Sequence, residues 1–138
     1  MTIPEIMKNR MCFSFEVFPP KEGQPLEPLL DTLDHLYAFK PDFISCTYGA
    51  GGTNAGRNVE ICKAIKDSGA TIPITHFTCI GNSKDKIRDE LRNYLSLGVD
   101  HILALRGDFP KGSASTGGDF NYANELIAFI KEAFPEFS

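Results

Sequence analysis

Four polar side chains stand at or near the ends of four strand-like runs: Glu16, Thr47, His76 and Asp108. In Phe13-Ser14-Phe15-Glu16-Val17-Phe18-Pro19-Pro20, aromatic and β-branched residues alternate with others and two prolines end the run, which is a strand pattern. Phe13, Phe15 and Val17 fall on one face, Cys12, Ser14 and Glu16 on the other. A carboxylate so placed is costly to bury unless a partner neutralises it or a reaction uses it. Three further runs end in polar groups in the same way, and their convergence reads as a site. Each residue also has a purely structural alternative. Glu16 could pair with an Arg or Lys, Arg106 could be the partner of Glu16 or Asp108, and Asp108 could form a turn after Gly107. Thr47 and Tyr48 could be packing residues, and His76 a satisfied interior histidine.

The elements that must position these groups follow from periodicity. A short helix or irregular lead-in over 4–10 precedes the first strand, 12–18. Leu26, Leu29, Leu30, Leu33, Leu36 and Tyr37 repeat at helical spacing until Lys40-Pro41-Asp42. Phe43–Tyr48 is the second strand and runs into the glycine-rich loop 49–54. Val59, Cys62, Ile65 and Lys66 mark a second helix ending at Gly69. Pro73–Ile80 is the third strand. Ser83 caps a third helix carrying Ile87, Leu91, Tyr94 and Leu95 on one side. His101–Leu105 is the fourth strand, leading into Arg106-Gly107-Asp108. A Gly/Ser-rich loop spans 111–118, and a fourth helix covers about 120–134 with Ala123, Leu126, Ile127 and Ile130 inward.

Four consecutive βα units without a hairpin signal imply a parallel sheet covered by helices. A doubly wound sheet and a (β/α) barrel both fit. The barrel is favoured because each strand carries a small or polar face: Ser14/Glu16, Ser45/Thr47, His76/Thr78 and Ala104/Arg106 are expected to point inward. Phe15/Val17, Ile44/Cys46, Thr75/Phe77 and Leu103/Leu105 are expected to meet the helices. Barrels gather functional groups at the carboxyl ends of their strands. Closure takes about eight strands and roughly 250 residues, so 138 residues read as a half-barrel: a TIM (β/α)8-type fold with its first four βα units, all in one domain, 1–138.

A net charge of −4 and a pI near 5.3 argue against nucleic acid as a partner. No apolar run is long enough to span a bilayer, and the first residues lack the order of a secretory signal. The four cysteines show no C-x-x-C spacing and read as free thiols in a reducing cytoplasm. No His, Cys or carboxylate pair has ligand spacing, so no metal is expected.

Phe13-Ser14-Phe15-Glu16-Val17-Phe18-Pro19-Pro20-Lys21, Thr47-Tyr48-Gly49-Ala50-Gly51-Gly52, His76-Phe77-Thr78-Cys79 and Ala104-Leu105-Arg106-Gly107-Asp108, in that order, resemble the methylenetetrahydrofolate reductase family. The likeness runs from about residue 12 to 134 and matches the first half of that family's catalytic barrel. It implies a flavoprotein of one-carbon metabolism and methionine biosynthesis. FAD would take a hydride from NADH or NADPH and pass it to 5,10-methylenetetrahydrofolate, giving 5-methyltetrahydrofolate.

The resemblance also assigns roles. Ring opening in the folate needs a protonated nitrogen, and Glu16 is the implied general acid; a carboxyl in a partly apolar mouth holds its proton more readily than one in water. Asp108 would lie beside the flavin pyrimidine and act electrostatically. Thr47, Tyr48, Ala50, His76, Arg106, Gly107, Tyr122 and Ala123 are the implied FAD contacts, the last two at a helix start suited to a phosphate. The chain alone is expected to bind FAD poorly and to act with a complementing C-terminal half or as a homo-oligomer. A flavin barrel with another acceptor and a non-catalytic half-barrel assembly module are the alternatives.

Overall fold

The computed structural model of the chain describes residues 1–48, 55–109 and 111–138. In order these form α1 (Ile3–Asn9), β1 (Ser14–Val17), α2 (Glu27–Tyr37), β2 (Phe43–Cys46), α3 (Ala55–Ser68), β3 (Ile72–Thr78), α4 (Lys84–Ser96), β4 (Ile102–Leu105) and α5 (Ala123–Ala133). The four strands make one parallel sheet in the order β1-β2-β3-β4. Sequence order thus equals spatial order, as successive right-handed βα crossovers produce.

Local chemistry sets the boundaries. Thr2 and Glu5 form a reciprocal cap on α1, with Thr2 N–H donating to the Glu5 carboxylate at 2.7 Å and Glu5 N–H to Thr2 Oγ1 at 3.3 Å. Ser83 Oγ accepts from Lys86 N–H at the start of α4. The entry to β1 is fixed by Asp42, whose carboxylate pairs with Arg10 and accepts Phe13 N–H at 2.8 Å. Arg10, and then the Phe13 amide, hold the Asp42 carboxyl below its ordinary pKa.

One face of the sheet packs under the helices. Val17, Ile44, Cys46 and Phe77 meet Leu33 of α2, Ile61, Cys62 and Ile65 of α3, Ile87, Leu91 and Tyr94 of α4, and Leu126 and Ile130 of α5. Each fully buried aliphatic or aromatic side chain here contributes about 1.5–3 kcal/mol. Cys46, Cys62 and Cys79 are buried free thiols, and Cys12 is half-buried.

Three sequence expectations need correction. In β4, His76 pairs with Leu103 and Thr78 with Leu105, so Leu103 and Leu105 share the inward face of His76 and Thr78. Ile102 and Ala104 instead pack against the helical core. The inward face is therefore part apolar, with Ile74 also on it. In α3 the buried stripe is Asn58, Ile61, Cys62 and Ile65, while Lys66 is exposed. In α5, Leu126 and Ile130 are buried but Ile127 is 45% exposed.

After α5 the chain returns to the sheet. Ser138 N–H donates to Asp100 O at 2.8 Å, and Ile102 N–H donates to Ser138 O at 3.0 Å. That exchange is one rung of a parallel ladder on the free side of β4. The four parallel strands and their helices are compatible with part of a TIM barrel.

Candidate active site

Two recesses open on the inward face: the first runs along it to Ile3 and Pro4 of α1 and to the strand starts at Phe43 and His101, and the second lies at the carboxyl ends of the strands. The first, of about 580 Å³, has Ser14 and Glu16 of β1, Ser45 of β2, Ile74 and His76 of β3 and Leu103 of β4 in its wall. Glu16 pairs in register with Ser45, and Ser45 with Ile74. The small Ser45 leaves room above β2 for Glu16 and His76 to approach each other. Their closest atoms, Glu16 Oε2 and His76 Nε2, are 3.6 Å apart, a contact but not a hydrogen bond. The Glu16 side chain is 50% exposed and that of His76 only 10%. The expected apolar enclosure of Glu16 is thus not formed by the described residues. Burial pushes the His76 pKa down from its ordinary 6.5, with Glu16 opposing. His76 Nε2 is buried without a hydrogen-bond partner among the described residues.

The second recess, of about 540 Å³, is lined by Tyr48 after β2, Thr78 of β3, Leu105 to Asp108 at the end of β4, and Tyr122 and Ala123 at the start of α5. His76 and Thr78 are alternate residues on one face of β3, so the two recesses adjoin. Tyr48 is buried; its hydroxyl donates to Glu90 Oε2 at 3.0 Å. Burial, then the Glu90 charge, pushes its pKa up. Arg106 Nε donates to Gly107 O at 3.1 Å, and the guanidinium lies 4.4 Å from the Phe109 ring centre. Gly107 has φ +85°, and a Cβ there would meet Ile80 Cγ2 at 2.6 Å. Only glycine fits, and its backbone stays bare to the recess. Thr78 Oγ1 is buried with no hydrogen-bond partner among the described residues.

The sequence-derived candidates divide as follows. Glu16 and His76 share the first recess; Tyr48, Arg106, Gly107, Asp108, Tyr122 and Ala123 share the second. Thr47 is half-buried just past β2, its N–H donating to Val17 O at 3.0 Å. Ala50 lies outside the described residues. Among the described residues no Lys or Arg nitrogen comes within 4.0 Å of the Glu16 or Asp108 carboxylates, so neither is spent on such an ion pair. No group of three or more His, Cys, Asp or Glu could hold a metal ion among the described residues, and no helix there is long and apolar enough to cross a membrane.

The family model for methylenetetrahydrofolate reductase matches residues 2–138. The chain belongs to the methylenetetrahydrofolate reductase family. Among its relatives, the 5,10-methylenetetrahydrofolate reductase of Escherichia coli (strain K12) is 40% identical over 126 residues, covering 91% of this chain and 42% of that protein. The enzyme of the same name from Salmonella typhimurium is 39% identical over the same extent. A probable methylenetetrahydrofolate reductase (NADH) of Oryza sativa subsp. japonica is 34% identical over 132 residues, 94% of this chain and 22% of that protein. The chain therefore spans about two fifths of the length of its bacterial methylenetetrahydrofolate reductase relatives, and it matches the N-terminal part of the enzyme.

Two features of these recesses escaped the sequence reading. Thr78 was legible as an inward residue but not as a buried hydroxyl without a hydrogen-bond partner among the described residues. The Tyr48–Glu90 bond joins residues 42 apart, and no local pattern announces it.

Proposed function

We propose that the chain supplies the first four βα units of a TIM-type barrel that binds FAD and reduces 5,10-methylenetetrahydrofolate to 5-methyltetrahydrofolate with NAD(P)H. Parallel strands in sequential order and the Ser138 rung beside β4 support continuation into a barrel. The free side of β1 and the 45% exposed Leu103 favour a complementing C-terminal half as the partner. Buried free thiols support a reducing cytoplasm.

The observation that carries the reading is the second recess. Its chemistry fits a flat heteroaromatic group: an aromatic wall at Tyr48, a bare glycine backbone at Gly107, an unpartnered donor at Thr78 Oγ1 and one guanidinium, Arg106. Tyr48, Thr78, Arg106, Gly107 and Asp108 would hold the ring system, with Thr47, Ala50 and His76 beside them. Tyr122 and Ala123 would hold the adenosine. The Glu125 carboxylate already accepts Asn121 N–H at 2.7 Å and Tyr122 N–H at 3.1 Å. That anion makes the start of α5 a better neighbour for adenosine than for a phosphate.

Held by these residues, FAD would supply the hydride-transfer chemistry that links NAD(P)H to the methylene carbon. Glu16 supplies the proton that the substrate nitrogen needs for ring opening. His76, held neutral near pH 7 by burial, presents Nε2 as a hydrogen-bond partner for the Glu16 carboxyl. The Asp108 carboxylate disfavours negative charge on a neighbouring ring and favours a cationic substrate carbon.

Glu16→Gln in the completed barrel tests this. It is expected to lower folate reduction by about 10²–10⁴-fold while NAD(P)H oxidation by an artificial acceptor continues. Equal loss of both half-reactions would refute Glu16 as the folate-side acid.

A further inference from the structure

We infer that Asn58 is a positioning residue whose side-chain amide sets the backbone at the end of β2, and through it the place of Tyr48 in the second recess. Its consequence for cofactor binding rests on the flavin reading above; its effect on Tyr48 does not.

Asn58 is fully buried in α3, on the face that packs against the sheet. Its Nδ2 donates to Cys46 O at 2.9 Å and to Thr47 O at 3.0 Å. The register of β2 with both neighbours ends at Cys46, so these are the carbonyls at which the strand leaves its ladder. Its Oδ1 accepts from Thr75 Oγ1 of β3 at 2.8 Å, Tyr94 OH of α4 at 2.7 Å and Cys62 Sγ at 3.5 Å. Two carbonyls at one end and three donors at the other fix the amide's orientation. Every polar atom of the side chain is used.

Only a neutral amide of this length does both jobs. A carboxylate would still accept from Thr75 and Tyr94 but would face two carbonyl oxygens with no proton to give. Leucine has the volume and neither function. Tyr48 follows Thr47 directly, is itself buried, and reaches Glu90 from there. A shift of the Thr47 carbonyl therefore moves the aromatic wall of the recess. The groups facing Asn58 that could titrate are thiols and phenols. A hydrogen bond with Cys62, and then burial, hold the Cys46 thiol above its ordinary pKa, and burial holds Tyr94 above its own with the Thr75 hydrogen bond opposing, so both stay neutral through the physiological range.

Amide hydrogen exchange and thermal melting of the full chain carry the test, with FAD titration alongside. Asn58→Asp at pH 8 is expected to raise exchange at Thr47 and Tyr48 at least ~10-fold. At pH 5, where a buried carboxyl regains its proton and can donate to one carbonyl, about half of that protection should return. Asn58→Leu should show the loss without the recovery. Tyr94→Phe keeps both amide donors, so it should lower Tm yet leave exchange at Tyr48 unchanged. Wild-type protection in Asn58→Leu, no pH recovery in Asn58→Asp, or equal loosening of Tyr48 by Tyr94→Phe would each overturn the inference. If either Asn58 variant fails to fold, Tyr94→Phe still decides between amide donation and general packing. FAD affinity should fall with exchange protection in Asn58→Asp. A completed barrel carrying the wild-type chain that shows no FAD binding would overturn the flavin reading alone, since the exchange measurements need no flavin.

Discussion

Gly107→Ala puts a methyl group where the structure has no room for one. The residue sits at φ +85°, and the added Cβ would lie 2.6 Å from Ile80 Cγ2, 3.0 Å from Ile80 Cβ and 3.2 Å from Thr78 Cβ. The left-handed backbone costs an alanine about 1–2 kcal/mol. The forced contact adds about 1–3 kcal/mol, because Ile80 is buried and branched at the touching carbon. Unfolding entropy of roughly 2.1 cal/mol/K per residue makes each kcal/mol worth about 3.5 °C in Tm for a chain of this size. Gly107→Ala should therefore lower Tm by about 7–17 °C. Gly112→Ala is the internal control: its φ is +78°, but nothing lies within 4 Å of the added Cβ. Only the backbone cost applies there, about 3–7 °C. Paired thermal melts by circular dichroism, under one buffer, read the difference. Equal shifts for the two variants would show that the Gly107 backbone is not wedged against β3 and would remove the rigid floor argued for the second recess.

Two further outcomes follow from the same geometry. Thr78→Val replaces a buried, unpartnered hydroxyl by a methyl of similar size; Tm should hold or rise, while FAD affinity falls about 5–10-fold, and a variant that loses stability but keeps affinity would reverse the assignment. His76 carries the acid sensitivity: its folded pKa lies below 6.5 because of burial, so the unfolded chain binds the proton first as pH falls, and Tm should decline from pH 7 to pH 5. His76→Leu should flatten that decline and Glu16→Gln, which removes the opposing charge, should steepen it; an unchanged profile in His76→Leu would contradict the burial argument.

The sheet was legible because β1 alternates cleanly and because Pro19-Pro20, Pro41 and Gly69 punctuate the units. β4 was misread for a physical reason. His101-Ile102-Leu103-Ala104-Leu105 is apolar at nearly every position, as strands covered on both faces are, and period 2 cannot assign its faces. The register with β3 decides it, and that information is tertiary. Asn58 was hidden because a polar residue within an apolar stripe reads as a break, when here it is the best-bonded side chain of the core. Strand-end logic expected Glu16, Thr47, His76 and Asp108 to converge; the structure instead puts Glu16 and His76 in one recess and Asp108, with Tyr48, Arg106, Gly107, Tyr122 and Ala123, in the other. The docking of the 111–118 loop was not foreseeable. It depends on Gly81 N–H reaching Thr116 O and Asp119 N–H reaching Asn82 O, contacts 35 or more residues apart.

The most direct measurement is a titration of the ¹⁵N-labelled chain with FAD, followed residue by residue by NMR at ligand concentrations high enough for weak binding. Shifts should concentrate at Tyr48, Thr78, Arg106, Gly107, Asp108 and Tyr122, and extend to Glu16 and His76. Shifts confined to the opposite ends of the strands, around Asp42, Thr71 and His101, or no shifts at all in the strand-end residues, would contradict a flavin site at the carboxyl rim of this sheet.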